Sequence, residues 1–190
     1  MKGLLKFLFL LVALAGISLF VLRLFFFDIA KTNSYSMVPT LIAGDTIAVK
    51  RNADLDLGDL ALCRSPDDDV TLVVGRVVGL PGMTVEIRND ALFVNGDRVR
   101  TSDHSSLTYI NEVEVEAVRE TIRRIDHWVA FGEYAKDKTM RPHEVEDGYF
   151  LLGDNRNHAR DSRYFGEVPA ENCIGQPVLI LWPAEDNGDL

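Results

Sequence analysis

Hydrophobic residues form one long block at the start of the chain. No charged residue occurs between Phe7 and Leu22, and after Arg23 the apolar run resumes through Phe27. About 20 apolar residues in a helix span roughly 30 Å, the thickness of a bilayer core. The pattern therefore predicts a transmembrane helix over about residues 4–27. A cleaved signal peptide is the alternative, but its apolar region should be shorter and end in small residues.

Beyond residue 30 the pattern changes to short apolar runs separated by Gly, Pro, Asp and Asn. These runs have the length and composition of β-strands. They cover residues 46–50, 60–63, 70–80, 112–116 and 177–182. Asn95-Gly96, which lies between the run Ala91-Leu-Phe and Arg98-Val, predicts a tight hairpin turn. The sequence therefore predicts a membrane anchor over residues 1–30 and a mostly β body over residues 31–184.

Two segments do not follow the strand pattern. Residues 101–138 are more polar, and they predict a small, irregular and mobile insertion in the body. Residues 185–190 are rich in acidic and small polar side chains and are predicted to form a solvated tail.

Charges at the two ends of the apolar block indicate its orientation. Lys2 and Lys6 precede it, and Arg23 and Lys31 lie near its other end. The positive-inside rule favours a cytoplasmic N-terminus, which would place the body on the other side of the membrane. Cys63 and Cys173 could pair in that oxidising compartment, or could be two separate buried thiols.

The overall charge and the residue spacing exclude several classes of partner. The formal net charge is -9, and no basic patch is present, which argues against nucleic-acid binding. The histidines and cysteines lack the spacing of metal ligands, so no metal site is predicted. No phosphate-binding loop occurs, and no cofactor is expected.

Two hydroxyl side chains follow the apolar block closely. Ser34 and Ser36 lie on the same side of an extended segment in which Pro39 fixes one backbone dihedral. Even fully extended, the chain from Phe27 keeps Ser36 within about 30 Å of the bilayer. A nucleophile at Ser36 would meet membrane-bound substrates, although Ser-rich connectors after anchors are also common.

Three further motifs follow in order along the chain. They are Gly44-Asp-Thr-Ile-Ala-Val-Lys-Arg51, Arg76-Val-Val-Gly-Leu-Pro-Gly82 and Gly153-Asp-Asn-Arg-Asn-His-Ala-Arg-Asp-Ser-Arg163. Together with the anchor and the Ser-Met-x-Pro element at Ser36, they resemble type I signal peptidases, the bacterial leader peptidase family of Ser-Lys serine peptidases. The resemblance covers about residues 31–183 and is weakest in the insertion.

This resemblance implies a fold, a location and an activity. The body should be a signal-peptidase-like β domain behind one transmembrane helix in the bacterial cytoplasmic membrane. The protein should be a serine endopeptidase that removes signal peptides from exported preproteins after small residues. Its partners would be those preproteins and the lipid bilayer.

The resemblance also implies roles for individual residues. Ser36 would be the nucleophile that forms an acyl-enzyme, and Ser34 would join the Ser36 amide in the oxyanion hole. Asp161 and Arg163 would form a buried charged pair with a structural role at the site. The residues implied for the apolar substrate pockets are Met37, Leu41, Val73 and Val74.

One position departs from the family pattern. Gly75 stands where the family has the lysine that acts as general base, and glycine offers no group that accepts a proton. Arg76 cannot replace it, because a guanidinium stays protonated and this side chain should leave the opposite face of the strand. Ala159 stands where the family commonly has a serine that orients the lysine. His158, in the same loop, is a speculative substitute base.

Three hypotheses follow from this combination of residues. The chain could be a working signal peptidase with an unusual base, or a relative that binds signal peptides or partner proteins without turnover. It could also be a membrane-tethered β-module that keeps the motifs only for folding. The serines and the Asp161–Arg163 pair favour the first two hypotheses, whereas Gly75 and Ala159 favour the second over the first.

Overall fold

The structure is a computed structural model. It describes residues 2–68, 70–109, 113–132 and 139–184. Helix α1, Lys2–Phe26, covers the apolar block. Its stretch Gly3–Val21 has a mean hydropathy of 2.6, and none of it is buried against the body. The helix is therefore long and apolar enough to cross a bilayer.

The rest of the described chain is mainly β-strand. The strands in chain order are β1 Phe27–Lys31, β2 Thr46–Arg51, β3 Leu60–Arg64, β4 Leu72–Gly79, β5 Thr84–Arg88, β6 Ala91–Val94, β7 Asp97–Arg98, β8 Arg100–Tyr109, β9 Val113–Ile122, β10 Ile125–Gly132, β11 Met140–Glu144, β12 Phe150–Leu152 and β13 Cys173–Trp182. One short helix, α2, covers Ser162–Phe165. The predicted mostly β body is confirmed.

The largest sheet carries the strands that surround the serines. Its order is β1-β2-β13-β3-β4-β12, and every neighbouring pair is antiparallel. Strand β12 pairs with β4 only from Arg76 onward, so residues 72–75 of β4 have no strand partner on that side within the described sheet. Strand β1 is the other end of the sheet, and among the described strands it pairs only with β2. The sheet thus offers two uncovered strand edges.

Two apolar clusters form the core of the body. The smaller one contains Met37, Leu41 and Ile47 and lies beneath the segment that carries the serines. The larger one packs β3, β4 and β12 against a second sheet, of order β11-β5-β6-β7. The predicted hairpin turn at Asn95-Gly96 is confirmed between β6 and β7, with φ of 52° and 83° at its two residues. Positive φ at both central residues is typical of the turn that Asn-Gly favours.

The predicted insertion is more regular than its polar composition indicated. Strands β8, β9 and β10 form a three-stranded antiparallel sheet, called here the insertion sheet. The polar residues of this sheet have a physical reason, because one face of β9 is exposed. Val115 and Ala117 are buried, and Glu116 between them is exposed. Residues 110–112 and 133–138 of the insertion, and the predicted tail 185–190, lie outside the described residues.

The two cysteines lie directly opposite each other in neighbouring strands. Cys63 of β3 faces Cys173 of β13, and the two form a disulfide bond. Of the two alternatives that the sequence left open, the pairing is the one found. Disulfides form and persist mainly in oxidising compartments.

Candidate active site

Ser36 lies in the connection between β1 and β2, directly before a buried turn. Met37 and Val38 are 3% and 2% exposed, and the Leu41 N–H donates to the Met37 carbonyl at 3.0 Å. These apolar side chains anchor the segment and leave the serines at the surface. Ser34 Oγ lies 2.6 Å from Ser36 Oγ, and the Ser36 N–H donates to Ser34 Oγ at 3.1 Å. The structure therefore brings the two predicted hydroxyls together.

Both serines line a cleft with a volume of about 780 Å³. All four residues predicted for the substrate pockets also line it, namely Met37, Leu41, Val73 and Val74. The cleft lies between the uncovered edges of the main sheet, since Ala30 and Lys31 of β1 line one side and Leu72 of β4 lines the other. An extended peptide can add to such edges through main-chain hydrogen bonds, with side chains entering pockets between them.

Gly75 is buried in β4, opposite Ala61 of β3. A Cβ at this position would lie 2.9 Å from Leu151 Cβ and 3.6 Å from the Leu152 carbonyl oxygen. Real Cβ atoms are not found that close, so the space beside Gly75 is filled by Leu151 of β12. The residues around position 75 therefore leave no room for a side chain there.

The structure does not bring His158 to the cleft. This histidine is exposed, and its Nε2 lies 3.5 Å from the point where a Cβ at Gly132 would be, beside the insertion sheet. The basic residues that line the cleft are Lys31 and Arg160. Arg160 pairs with Asp67 across the cleft at 2.7 Å. Lys31 is exposed, and so the described cleft holds no buried amine near Ser36.

The predicted pair of Asp161 and Arg163 fixes the loop that borders Ser36. Asp161 is 4% exposed, and its carboxylate accepts two hydrogen bonds of 2.7 Å from the Arg163 guanidinium. It also accepts from the Gly153 N–H at 2.8 Å. A Cβ at Gly153 would lie 2.2 Å from Ala159 Cβ and 2.6 Å from the Ser36 carbonyl oxygen. Glycine at position 153 thus lets the loop pack directly on the Ser36 main chain.

A second buried pair was not predicted from the sequence. Arg76 donates to Asp154 through Nε at 2.8 Å and Nη2 at 2.6 Å, and both side chains are almost fully buried. Thr40 Oγ1 donates to the same carboxylate at 2.5 Å. Asp154 therefore ties the loop both to β4 and to the segment after Ser36. The sequence did offer one indication of this pair, since Arg76 is a charged residue inside the apolar run 70–80.

A third buried pair joins the loop to the insertion sheet. Arg156 donates to both oxygens of Glu120, at 2.9 and 2.5 Å, and His127 Nε2 lies 3.5 Å from the same carboxylate. Burial alone raises the pKa of Glu120, but the Arg156 charge, the two hydrogen bonds from Arg156 and the nearby His127 imidazole outweigh burial and lower the pKa to about 2. Glu120 is therefore ionised at neutral pH although it is 1% exposed.

Sequence comparisons with known proteins agree on one family. The family model for signal peptidase, peptidase S26, matches residues 1–182. Signal peptidase I P of Bacillus subtilis subsp. natto is 30% identical over 179 residues, which cover 92% of this chain and 87% of that protein. Signal peptidase I of Streptococcus pneumoniae serotype 4 is 30% identical over 176 residues, which cover 85% of each chain. A solved signal peptidase I from Enterococcus faecalis V583 is 28% identical, with a TM-score of 0.42 over 66% of this chain and 98% of that chain.

Proposed function

The chain belongs to the signal peptidase S26 family, and we propose that it is a membrane-bound serine endopeptidase that removes signal peptides from exported preproteins after small residues. One observation carries this proposal. Ser36 and Ser34 lie 2.6 Å apart in a cleft that all four residues expected for the substrate pockets also line.

In this proposal the two serines have different roles. Ser36 Oγ attacks the scissile carbonyl carbon, the peptide bond breaks with a proton passing to the leaving amine, and water then hydrolyses the acyl ester. The Ser36 N–H and the Ser34 hydroxyl donate to the oxyanion that forms during the attack. Without substrate these groups bond to each other. A donor of this kind contributes about 3 kcal/mol to the transition state.

The shape of the cleft supports a substrate bound as an extended strand. The backbone edges of β1 and of residues 72–75 can both pair with a peptide that enters between them. Val73 and Val74 of β4 are half-buried, and Met37 and Leu41 are buried below them. An apolar, confined lining of this kind suits small side chains on either side of the peptide.

Two features support a location at the membrane. Helix α1 passes into β1 without a linker, so the cleft stays close to the helix end. Strand β13 exposes a row of large apolar side chains, from Val178 to Ile180 and at Trp182. Such a patch is typical of a protein or membrane contact. We place the protein in the bacterial cytoplasmic membrane as a single-pass protein, with the N-terminus in the cytoplasm and the body outside.

A second function is favoured by the surroundings of Gly75. Because Leu151 fills the space beside that glycine, the position expected to carry the base is closed. Ser36 would then lack a group that takes its proton, and loss of such a base costs on the order of 10^4 to 10^6 in rate. The alternative is a protein that binds signal peptides in the same cleft without turnover.

One experiment separates these functions. The full chain, purified in detergent, is incubated with a preprotein that has an Ala-x-Ala site, and both cleavage and binding are measured. Ser36→Ala is compared with Ser102→Ala, since Ser102 lies on β8 away from the cleft. Cleavage that is lost only in Ser36→Ala supports the endopeptidase. Binding without cleavage in all three proteins supports the second function, and cleavage that survives Ser36→Ala contradicts the assignment of the nucleophile.

A further inference from the structure

Asn155 makes two hydrogen bonds to the main chain around Ser36. Its N–H donates to the Ser36 carbonyl at 3.0 Å, and its side-chain Nδ2 donates to the Tyr35 carbonyl at 3.1 Å. The residue is 7% exposed, and it was not singled out by the sequence. The carbonyl groups on both sides of the Ser36 Cα are therefore held by one residue of the neighbouring loop.

The hydrogen bond to Tyr35 has a consequence for the Ser36 amide. The Tyr35 carbonyl and the Ser36 N–H belong to one planar peptide unit and point in opposite directions. A donor that holds the carbonyl therefore sets the direction of the N–H. In the structure this N–H points to Ser34 Oγ, which lines the cleft.

We propose that Asn155 is a positioning residue that aims the Ser36 N–H into the cleft, where it serves as an oxyanion donor. This inference rests on the proposed function of Ser36 as a nucleophile. Asn155 is not among the residues that line the described cleft. It acts through the Tyr35–Ser36 peptide.

The insertion sheet holds Asn155 in place from behind. Ala130 of β10 donates to the Asp154 carbonyl at 2.8 Å, and the Arg156 N–H donates to the Ala130 carbonyl at 2.9 Å. Asn155 is thus flanked on both sides by main-chain bonds to β10. The buried pair of Arg156 with Glu120 adds a side-chain contact to β9. The segment where the family resemblance is weakest therefore supports the orientation of the Ser36 amide.

The test compares two peptides that differ only at the C-terminus. Both have the sequence of a signal-peptide C-terminal region, and one ends in a boronic acid while the other ends in a carboxamide. Ser36 Oγ adds to the boron and releases its proton to solvent, which gives a tetrahedral boronate with one oxygen in the oxyanion position. The ratio of the two Kd values, carboxamide over boronate, measures oxyanion stabilisation by equilibrium binding without turnover.

The expected result is specific to Asn155. Asn155→Ala should lower the Kd ratio by about 30- to 100-fold, with the carboxamide Kd unchanged within about threefold. The matched control is Asn157→Ala, which removes the same side chain from the same loop, where its Nδ2 donates to the Gly132 carbonyl at 3.0 Å. That variant should leave the ratio within about threefold of wild type.

A second variant keeps the shape of the side chain. In Asn155→Asp an ionised carboxylate cannot donate to the Tyr35 carbonyl, whereas a protonated carboxyl can. The Kd ratio of Asn155→Asp should therefore approach the wild-type ratio, measured at the same pH, as the pH is lowered. A general loss of structure would not be reversed by acid, so this variant tests the role even if Asn155→Ala does not fold.

The outcomes separate this inference from the function on which it rests. An unchanged ratio in both Asn155 variants, or equal losses of affinity for the two peptides, overturns the role of Asn155 alone. Wild-type protein that binds neither peptide overturns the proposed function, and the role of Asn155 with it. A boronate preference that survives Ser36→Ala contradicts the nucleophile, and with it any role of Asn155 in aiming the Ser36 amide at an oxyanion.

Discussion

Leu151 occupies the space that a side chain at Gly75 would need. The two residues lie on neighbouring strands, and a Cβ at position 75 would approach Leu151 Cβ to 2.9 Å. Leu151 is 1% exposed and pairs in register with Val77, so it cannot move away without a shift of β12. The loss of the expected base is therefore accompanied by packing that has closed around the glycine.

This packing predicts that Gly75→Lys with Ala159→Ser is not sufficient to produce a fast peptidase. Adding Leu151→Gly should raise preprotein cleavage by at least about 100-fold over wild type, because it removes the Cβ that lies 2.9 Å from the position of a Cβ at residue 75 and opens the space for a buried amine. The measurement is the cleavage rate of a preprotein by the full chain in detergent.

The control for this experiment is Leu151→Gly with Ala159→Ser and without the lysine. It should not gain activity, and the lost leucine side chain should lower its free energy of unfolding by about 2–5 kcal/mol or more. If Gly75→Lys with Ala159→Ser is as fast as the triple variant, then Leu151 is not an obstacle.

Local sequence patterns predicted the elements that are determined by residues close together in the chain. The apolar block, the strand runs and the Asn95-Gly96 turn depend on neighbouring residues, and each is present in the structure. The spacing of Ser34 and Ser36 likewise placed their hydroxyls together.

Contacts between distant residues could not be predicted in this way. Glu120 and Arg156 are 36 residues apart in the chain. Glu120 also follows a run of alternating Glu and Val, which predicts that its glutamates face solvent and not a buried partner. The disulfide joins cysteines 110 positions apart, and their partnership depends on the order of the strands. The contact of Leu151 with Gly75 depends on the pairing of β12 with β4 for the same reason.

The buried Glu120 predicts a defined pH dependence of stability. Its pKa is about 2 in the folded protein and 4.5 as the reference value, so the folded state is stabilised by its ionised form. This contribution is complete above about pH 4.5 and is lost as the pH falls toward 2. Glu120→Gln also leaves Arg156 buried without its charged partner. This substitution should lower the free energy of unfolding by about 3–5 kcal/mol at pH 7.

The measurement is thermal unfolding by circular dichroism from pH 2 to 7. The difference in Tm between wild type and Glu120→Gln should shrink as the pH falls below about 4.5. Glu116→Gln is the matched control, because Glu116 lies on the same strand with an exposed side chain paired to His104. It should cost less than about 1 kcal/mol. A difference for Glu120→Gln that does not vary with pH contradicts the buried ionised state.

The disulfide between Cys63 and Cys173 should contribute measurably to stability. It closes a segment of 110 residues, and cross-links of this kind typically add about 2–4 kcal/mol. Reductant should therefore lower the Tm of wild type to that of the Cys63→Ala/Cys173→Ala variant. The double variant should not respond to reductant and serves as the control. Thiol titration first shows that reduction is complete. If the Tm of the reduced wild type is then unchanged, the disulfide has no stabilising role.

Trp182 should lie in the membrane interface, whereas Trp128 should not. Trp182 is 63% exposed at the end of the apolar row on β13, and tryptophan favours the boundary between lipid and water. Trp128 is half-buried on the insertion sheet, with the Arg119 guanidinium 5.3 Å from its ring centroid. The chain has two tryptophans, so a single substitution isolates the fluorescence of either one.

The measurement uses the full chain in lipid nanodiscs with brominated acyl chains, which quench only tryptophans that reach the lipid. Trp128→Phe retains the fluorescence of Trp182, which should fall by about half or more if β13 contacts the bilayer. Trp182→Phe retains that of Trp128, which should fall by less than about a tenth. Because α1 is unchanged in both variants, the difference reports on the body alone. Strong quenching of Trp128 instead would place the insertion sheet, and not β13, against the membrane.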